Sequence, residues 1–143
     1  MRVSHKAEYA CLAVLELAQR HGEPQPVPVK FIAEAHGIPS RYLTQILLQL
    51  KGGGIVHSVR GSAGGYQLAL LPEEVTLVDV LTLIDGPLPI TRRPAVNVKT
   101  PATQALTAVW NEILHTEQSI LAETTFAELV KRLHQAAENM YYI

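Results

Sequence analysis

This chain has little cysteine, few aromatics and almost no net charge. The only cysteine in its 143 residues, Cys11, excludes an internal disulfide and any all-cysteine metal site within one chain. Its neighbours, Tyr9–Ala10–Cys11–Leu12–Ala13, suit a buried small hydrophobe better than a reactive thiol. No run approaches the roughly 18 apolar residues that a membrane span requires. The opening Met1–Arg2–Val3–Ser4–His5–Lys6–Ala7–Glu8 lacks an uninterrupted apolar stretch, and Glu16 cuts the next one, so it does not read as a signal peptide. A cytoplasmic protein with no membrane partner is expected. No nucleophile–base pair or carboxylate pair falls in a recognisable motif, and no glycine-rich loop opens a helix as a phosphate site would, which speaks against an enzyme.

With 48% hydrophobic and 17% charged residues, the composition is that of an ordinary globular protein. The net charge of −1 argues against nucleic acid, but its distribution argues the other way. Positions 1–70 hold seven basic residues against four acidic, and positions 71–143 hold five against nine. A basic half joined to an acidic half fits a DNA-facing part attached to a part that meets something else.

Apolar residues at helical spacing predict a helix over 4–21, closed by Gly22. A proline-rich connector follows, then a short helix over 29–36. The tight turn Gly37–Ile38–Pro39 leads into a third helix over about 39–51, which Gly52–Gly53–Gly54 ends. Two strand-like runs, 55–59 and 65–69, flank a glycine-rich loop with the length of a hairpin. This order describes a winged helix-turn-helix, mainly α with a small β-hairpin wing. Thr76 and Asp79 cap a fourth helix that runs to about Ile84. Thr100–Pro101 opens the longest helix, over 102–123, and Thr125 with Glu128 opens a last one. Residues 1–85 thus form a DNA-binding domain, 86–101 a connector, and 102–143 a dimerisation helix with a C-terminal helix.

In such a motif the second helix enters the major groove. Its polar positions here are Ser40, Arg41, Thr44 and Gln45, with Tyr42 and Gln49 at the margin. Arginine pairs with guanine and glutamine with adenine, while hydroxyls reach phosphates or bases. The same residues would equally make the solvated face of an amphipathic helix. The wing tilts the balance, because Arg60, Gly61 and Ser62 form a narrow tip whose arginine can enter the minor groove. On the long helix, Leu106, Val109, Trp110, Ile113, Leu114 and Ile120 make a heptad-like stripe, readable as a dimer seam or as intrachain core.

Several segments closely resemble the Rrf2 family of bacterial transcriptional regulators. They are positions 1–10, Ile32–Ala33–Glu34, Gly37–Ile38–Pro39, Tyr42–Leu43–Thr44–Gln45, Val59–Arg60–Gly61, Gly64–Gly65–Tyr66 and positions 74–81. The resemblance implies a homodimer with crossed long helices, binding double-stranded DNA at a palindromic operator. It also implies that Tyr42 and Gln45 lie on the recognition helix and Arg60 on the wing. Two features depart from the family pattern around the reading head: Ser62–Ala63 stand where the family wing commonly has Pro–Gly, and Thr44 replaces a common acidic residue. Another concerns sensing. Many relatives ligate an iron–sulfur cluster through three cysteines after the fourth helix, whereas positions 86–101 here contain none. Glu8, His5 and His36 are the remaining ligand candidates, and each is more readily structural or solvated. The expectation is a regulator without metal or cofactor whose signal is a small-molecule effector, a protein effector or chemistry at Cys11. Its pocket would lie between the DNA-binding domain and the long helix. A protein-interaction adaptor with a degenerate winged helix is the alternative.

Overall fold

Ser4 begins the first helix in extended backbone, its hydroxyl oxygen accepting the Ala7 N–H at 3.0 Å while donating to Asp85 at 2.6 Å. In the computed structural model, which describes residues 1–141, this helix is α1 (His5–Gln19). It is followed by α2 (Val29–His36), α3 (Ser40–Gly52), β1 (Val56–Val59), β2 (Gly65–Leu68), α4 (Leu77–Asp85), α5 (Pro101–Glu123) and α6 (Phe126–Tyr141). A 3-10 turn at Pro72–Glu74 precedes α4. The strands pair antiparallel, Val56 opposite Leu68 and Val59 opposite Gly65. No helix among the described residues is long and apolar enough to cross a membrane.

The expected helix boundaries hold to within about two residues, because the stop and cap signals act locally. Gly37 takes the left-handed conformation, φ 65°, that ends α2, and the Ile38 N–H reaches back to the Ala33 carbonyl at 2.9 Å. Thr76 and Asp79 form the reciprocal capping box of α4. Thr100 caps α5 ahead of Pro101, with Thr103 as its reciprocal partner.

Ala10, Ala13, Val14 and Leu17 of α1 pack with Leu43, Ile46, Leu47 and Leu50 of α3 in one buried cluster. The C-terminal helix joins that cluster as well. Phe126, at its first position, is wholly buried, and Leu129 and Val130 lean on the same core. Two bonds lock the junction: Leu77 N–H to the Thr124 carbonyl at 3.0 Å and Phe126 N–H to the Val75 carbonyl at 2.9 Å. So α6 shares the core of the first domain instead of extending along α5. Positions 142 and 143, part of the expected C-terminal segment, lie outside the described residues.

Candidate nucleic-acid interface

The period of α3 divides it into two faces. Leu43, Ile46, Leu47 and Leu50 are buried, which turns Ser40, Arg41, Thr44 and Gln45 to the outside. Tyr42 is half-buried and meets Tyr9 of α1 edge-to-face, with ring centroids 5.7 Å apart. Thr44 donates its hydroxyl proton to the Ser40 carbonyl at 2.9 Å, leaving lone pairs and a methyl group toward solvent. Gln49 does not join this face. It points toward α4, which packs against α3, and donates to the Leu83 carbonyl at 3.1 Å. Leu48 was not foreseen as an outward residue, yet it stands exposed beside the polar positions. The available signal was its spacing of three from Gln45 and four from Thr44.

The wing is braced at both edges. Val27, between two prolines of the connector, exchanges two backbone hydrogen bonds of 2.9 Å with Tyr66, adding a one-residue rung to the hairpin. A lone residue flanked by prolines carries no periodicity, so nothing in the sequence marks it as a strand. Gly65 is required at this crossing, since a Cβ there would collide with the Val27 carbonyl. On the other side, Lys51 of α3 donates to the Ser58 hydroxyl at 2.8 Å. The tip residues Arg60, Gly61 and Ser62 are exposed. Among the described residues, neither Arg41 nor Arg60 is held in an ion pair. Both cations are therefore available to an anionic polymer.

Behind the reading face, Glu16 is buried in α1 and accepts from Arg20 at 2.9 Å, with His36 of α2 3.1 Å away. Arg20 also lies 4.4 Å over the Phe31 ring. This network ties α2 to α1 and gives His36 a structural partner.

On α5, Leu106, Val109, Trp110, Ile113 and Ile120 are exposed, at 56%, 49%, 41%, 46% and 57%. Leu114 departs from the stripe: it is half-buried and faces the connector. The intrachain-core alternative therefore does not describe these residues. Five large apolar side chains on one helix remain uncovered within a single chain.

The connector contains no Cys, His, Asp or Glu between positions 86 and 100. Cys11 is half-buried where α1 meets α4. Burial, and then the charges of Asp85 and Glu8, push its thiol up to about 12 from 9.0. The protonated thiol is favoured at this site, so the sulfur is a poor nucleophile.

The profile of the Rrf2 family, described as an iron-dependent transcriptional regulator, matches residues 3–132. Rv1287 of Mycobacterium tuberculosis strain H37Rv is 40% identical over 131 residues, covering 90% of this chain and 81% of that protein. The HTH-type transcriptional regulator CymR of Bacillus subtilis is 31% identical over 144 residues, the full length of both. The solved structure of B. subtilis CymR, the global cysteine regulator of that organism, superposes with a TM-score of 0.80 over 92% of this chain and 98% of its own. IscR of T. potens superposes with a TM-score of 0.75 at 31% identity, over 95% and 90%. With a winged helix, this pattern of exposed side chains and these matches along nearly the full length, the chain belongs to the Rrf2 family of DNA-binding transcriptional regulators, a family of non-enzymatic proteins.

Proposed function

We propose that the chain works as a homodimer, each protomer reading one half of a palindromic operator through α3 and its wing. The observation that carries this reading is the braced pair of elements: Arg41, Thr44 and Gln45 outward on α3, and Arg60 outward on a hairpin tied to α3 by Lys51. Arg41 and Gln45 are suited to bidentate pairing with guanine and adenine. Thr44, its proton already committed, offers an acceptor, and Leu48 offers an apolar contact for a thymine methyl. Ser40, Tyr42, Gly61 and Ser62 are suited to phosphate contacts that set orientation without selecting sequence. Arg60 is suited to the minor groove. The exposed α5 stripe supports pairing with a second copy, and a dimer lying across a promoter would exclude other proteins sterically, which supports repression.

The family description names iron, and the donor set of this chain does not fit an iron or iron–sulfur centre. Its one thiol lies half-buried at the α1–α4 contact, and no group of three or more His, Cys, Asp or Glu side chains comes together among the described residues. Thiolates are the usual ligands of such clusters, and the connector offers none. Protein purified without air is expected to show no visible absorption beyond the protein's own near-ultraviolet band. A broad visible band that bleaches on reduction would contradict this assignment.

The DNA-reading proposal is tested by gel shift against the chain's own upstream region at physiological salt, with random duplex as competitor. Specific binding is expected. Arg60→Ala and Gln45→Ala should each weaken it by about 1–3 kcal/mol, while non-specific binding falls less for Gln45→Ala than for Arg60→Ala. No preference over random duplex would end the proposal. Unchanged operator affinity in both variants would remove these side chains from the interface.

A further inference from the structure

The connector carries an unusual charge pattern. Between positions 86 and 111 the sequence contains Arg92, Arg93 and Lys99 and not one aspartate or glutamate, inside a half that is otherwise acidic. Its first part, positions 86–100, folds back along α5, where Gln118 donates to the Pro89 carbonyl at 2.9 Å. A cavity of about 400 Å³ lies between the two, within the size range of small-molecule sites.

Its walls divide by chemistry. Leu88, Ile113, Leu114 and Leu121 supply apolar surface, and the Trp110 ring closes one side. The Arg92 guanidinium sits 5.2 Å from the centre of that ring. Among the described residues Arg92 has no carboxylate partner. Glu117 is the acid on the wall, and the Met1 nitrogen lies 3.2 Å from it, while Arg2 adds a second cation at the rim. Such a site matches a molecule with an apolar body and one negative end. The body displaces water from the leucines and the indole, and a carboxylate meets the guanidinium in the two-point geometry that arginine favours.

We infer that this cavity binds a small organic anion, an aromatic or branched aliphatic carboxylate held by Arg92 and stacked on Trp110. The inference deepens the proposed regulator by naming its effector class, and it rests on that reading only for the consequence at DNA. Trp110 and Ile113 also belong to the exposed stripe of α5, so an occupied cavity touches the surface proposed for pairing.

Trp110 is the sole tryptophan of the chain and reports on the cavity directly. Phenylacetate is titrated into the full chain through the millimolar range, exciting where the phenyl ring does not absorb. Phenethyl alcohol and phenethylamine serve as neutral and cationic counterparts. Phenylacetate should give a saturable change in Trp110 fluorescence. The counterparts should bind ~10-fold or more weakly, and so should phenylacetate to Arg92→Gln, because the charge-assisted contact is lost. Arg132→Gln, on the exposed face of α6, should bind as the parent does. No saturable response, equal binding of the alcohol, or unchanged affinity in Arg92→Gln would overturn the inference. Gel shifts with and without phenylacetate separate the two readings. Loss of specific operator binding with an intact fluorescence response removes the regulator proposal and leaves the site, and the reverse pattern removes the site alone.

Discussion

Replacing Leu106 and Ile113 together by aspartate is expected to turn a dimer into a monomer and to lower operator affinity by ~100-fold or more. The magnitude follows from linkage: once one protomer is bound, a paired second protomer meets its half-site at high effective concentration, an advantage of ~10²–10⁴ that a monomer forfeits. Both side chains stand about half exposed on α5, so the charge they introduce falls on an apolar seam and not in the core of the protomer. Like charges from two copies would then face each other across the seam. Sedimentation velocity at micromolar concentration reads the assembly, and circular dichroism reads the fold. The helical signal and the thermal midpoint should stay close to those of the parent, since exposed substitutions usually act within about 0.5 kcal/mol. A parent chain that sediments as a monomer would defeat the two-half-site proposal outright. A double variant that still sediments as a dimer would place the seam elsewhere.

Phe126→Ala is expected to cost about 3–5 kcal/mol, the range for removing a fully buried phenylalanine. Small domains have only about 5–15 kcal/mol to lose. Phe126 has no exposed surface and belongs to the same buried cluster as the α1 and α3 residues, at the point where α6 begins. Urea unfolding should show a large fall in midpoint with an unchanged slope, because the surface exposed on unfolding hardly differs. A loss below about 1 kcal/mol would mean that α6 does not complete the core as described. Met140→Ala, far out on the same helix and 77% exposed, should leave the midpoint in place.

What could be read from the sequence alone was mostly local. Helix ends marked by Gly37, Thr76 and Thr100 announce themselves through short-range hydrogen bonds that the residue type dictates, and the hairpin announces itself through its glycines. The outward residues of α3 followed from its period. Long-range features were hidden for a physical reason: periodicity says that a face is apolar, not which other face covers it. The apolar side of α6 could have extended a dimer seam or turned back on α1, and only the Val75–Phe126 and Leu77–Thr124 bonds decide between them. Gln49 shows the same limit for a single side chain, since its amide was bound to find an acceptor, and that acceptor belongs to Leu83, 34 residues away. The Val27 rung and the reach of His36 to buried Glu16 depend likewise on partners that no spacing rule connects, whereas the Glu16–Arg20 pair, four residues apart, is local.

The two braces on the hairpin have a mechanical consequence. With Val27 pairing one strand and Lys51 bonded from α3 to the other, the wing and the recognition helix are tied together like the jaws of a caliper. A rigid gauge of this kind cannot be retuned within one half-site by sliding the wing. If the proposed pairing holds, the adjustable dimension is the span between two such gauges, which the crossing of α5 with its copy would set. A signal felt along α5 would then be converted into a length measured along the DNA.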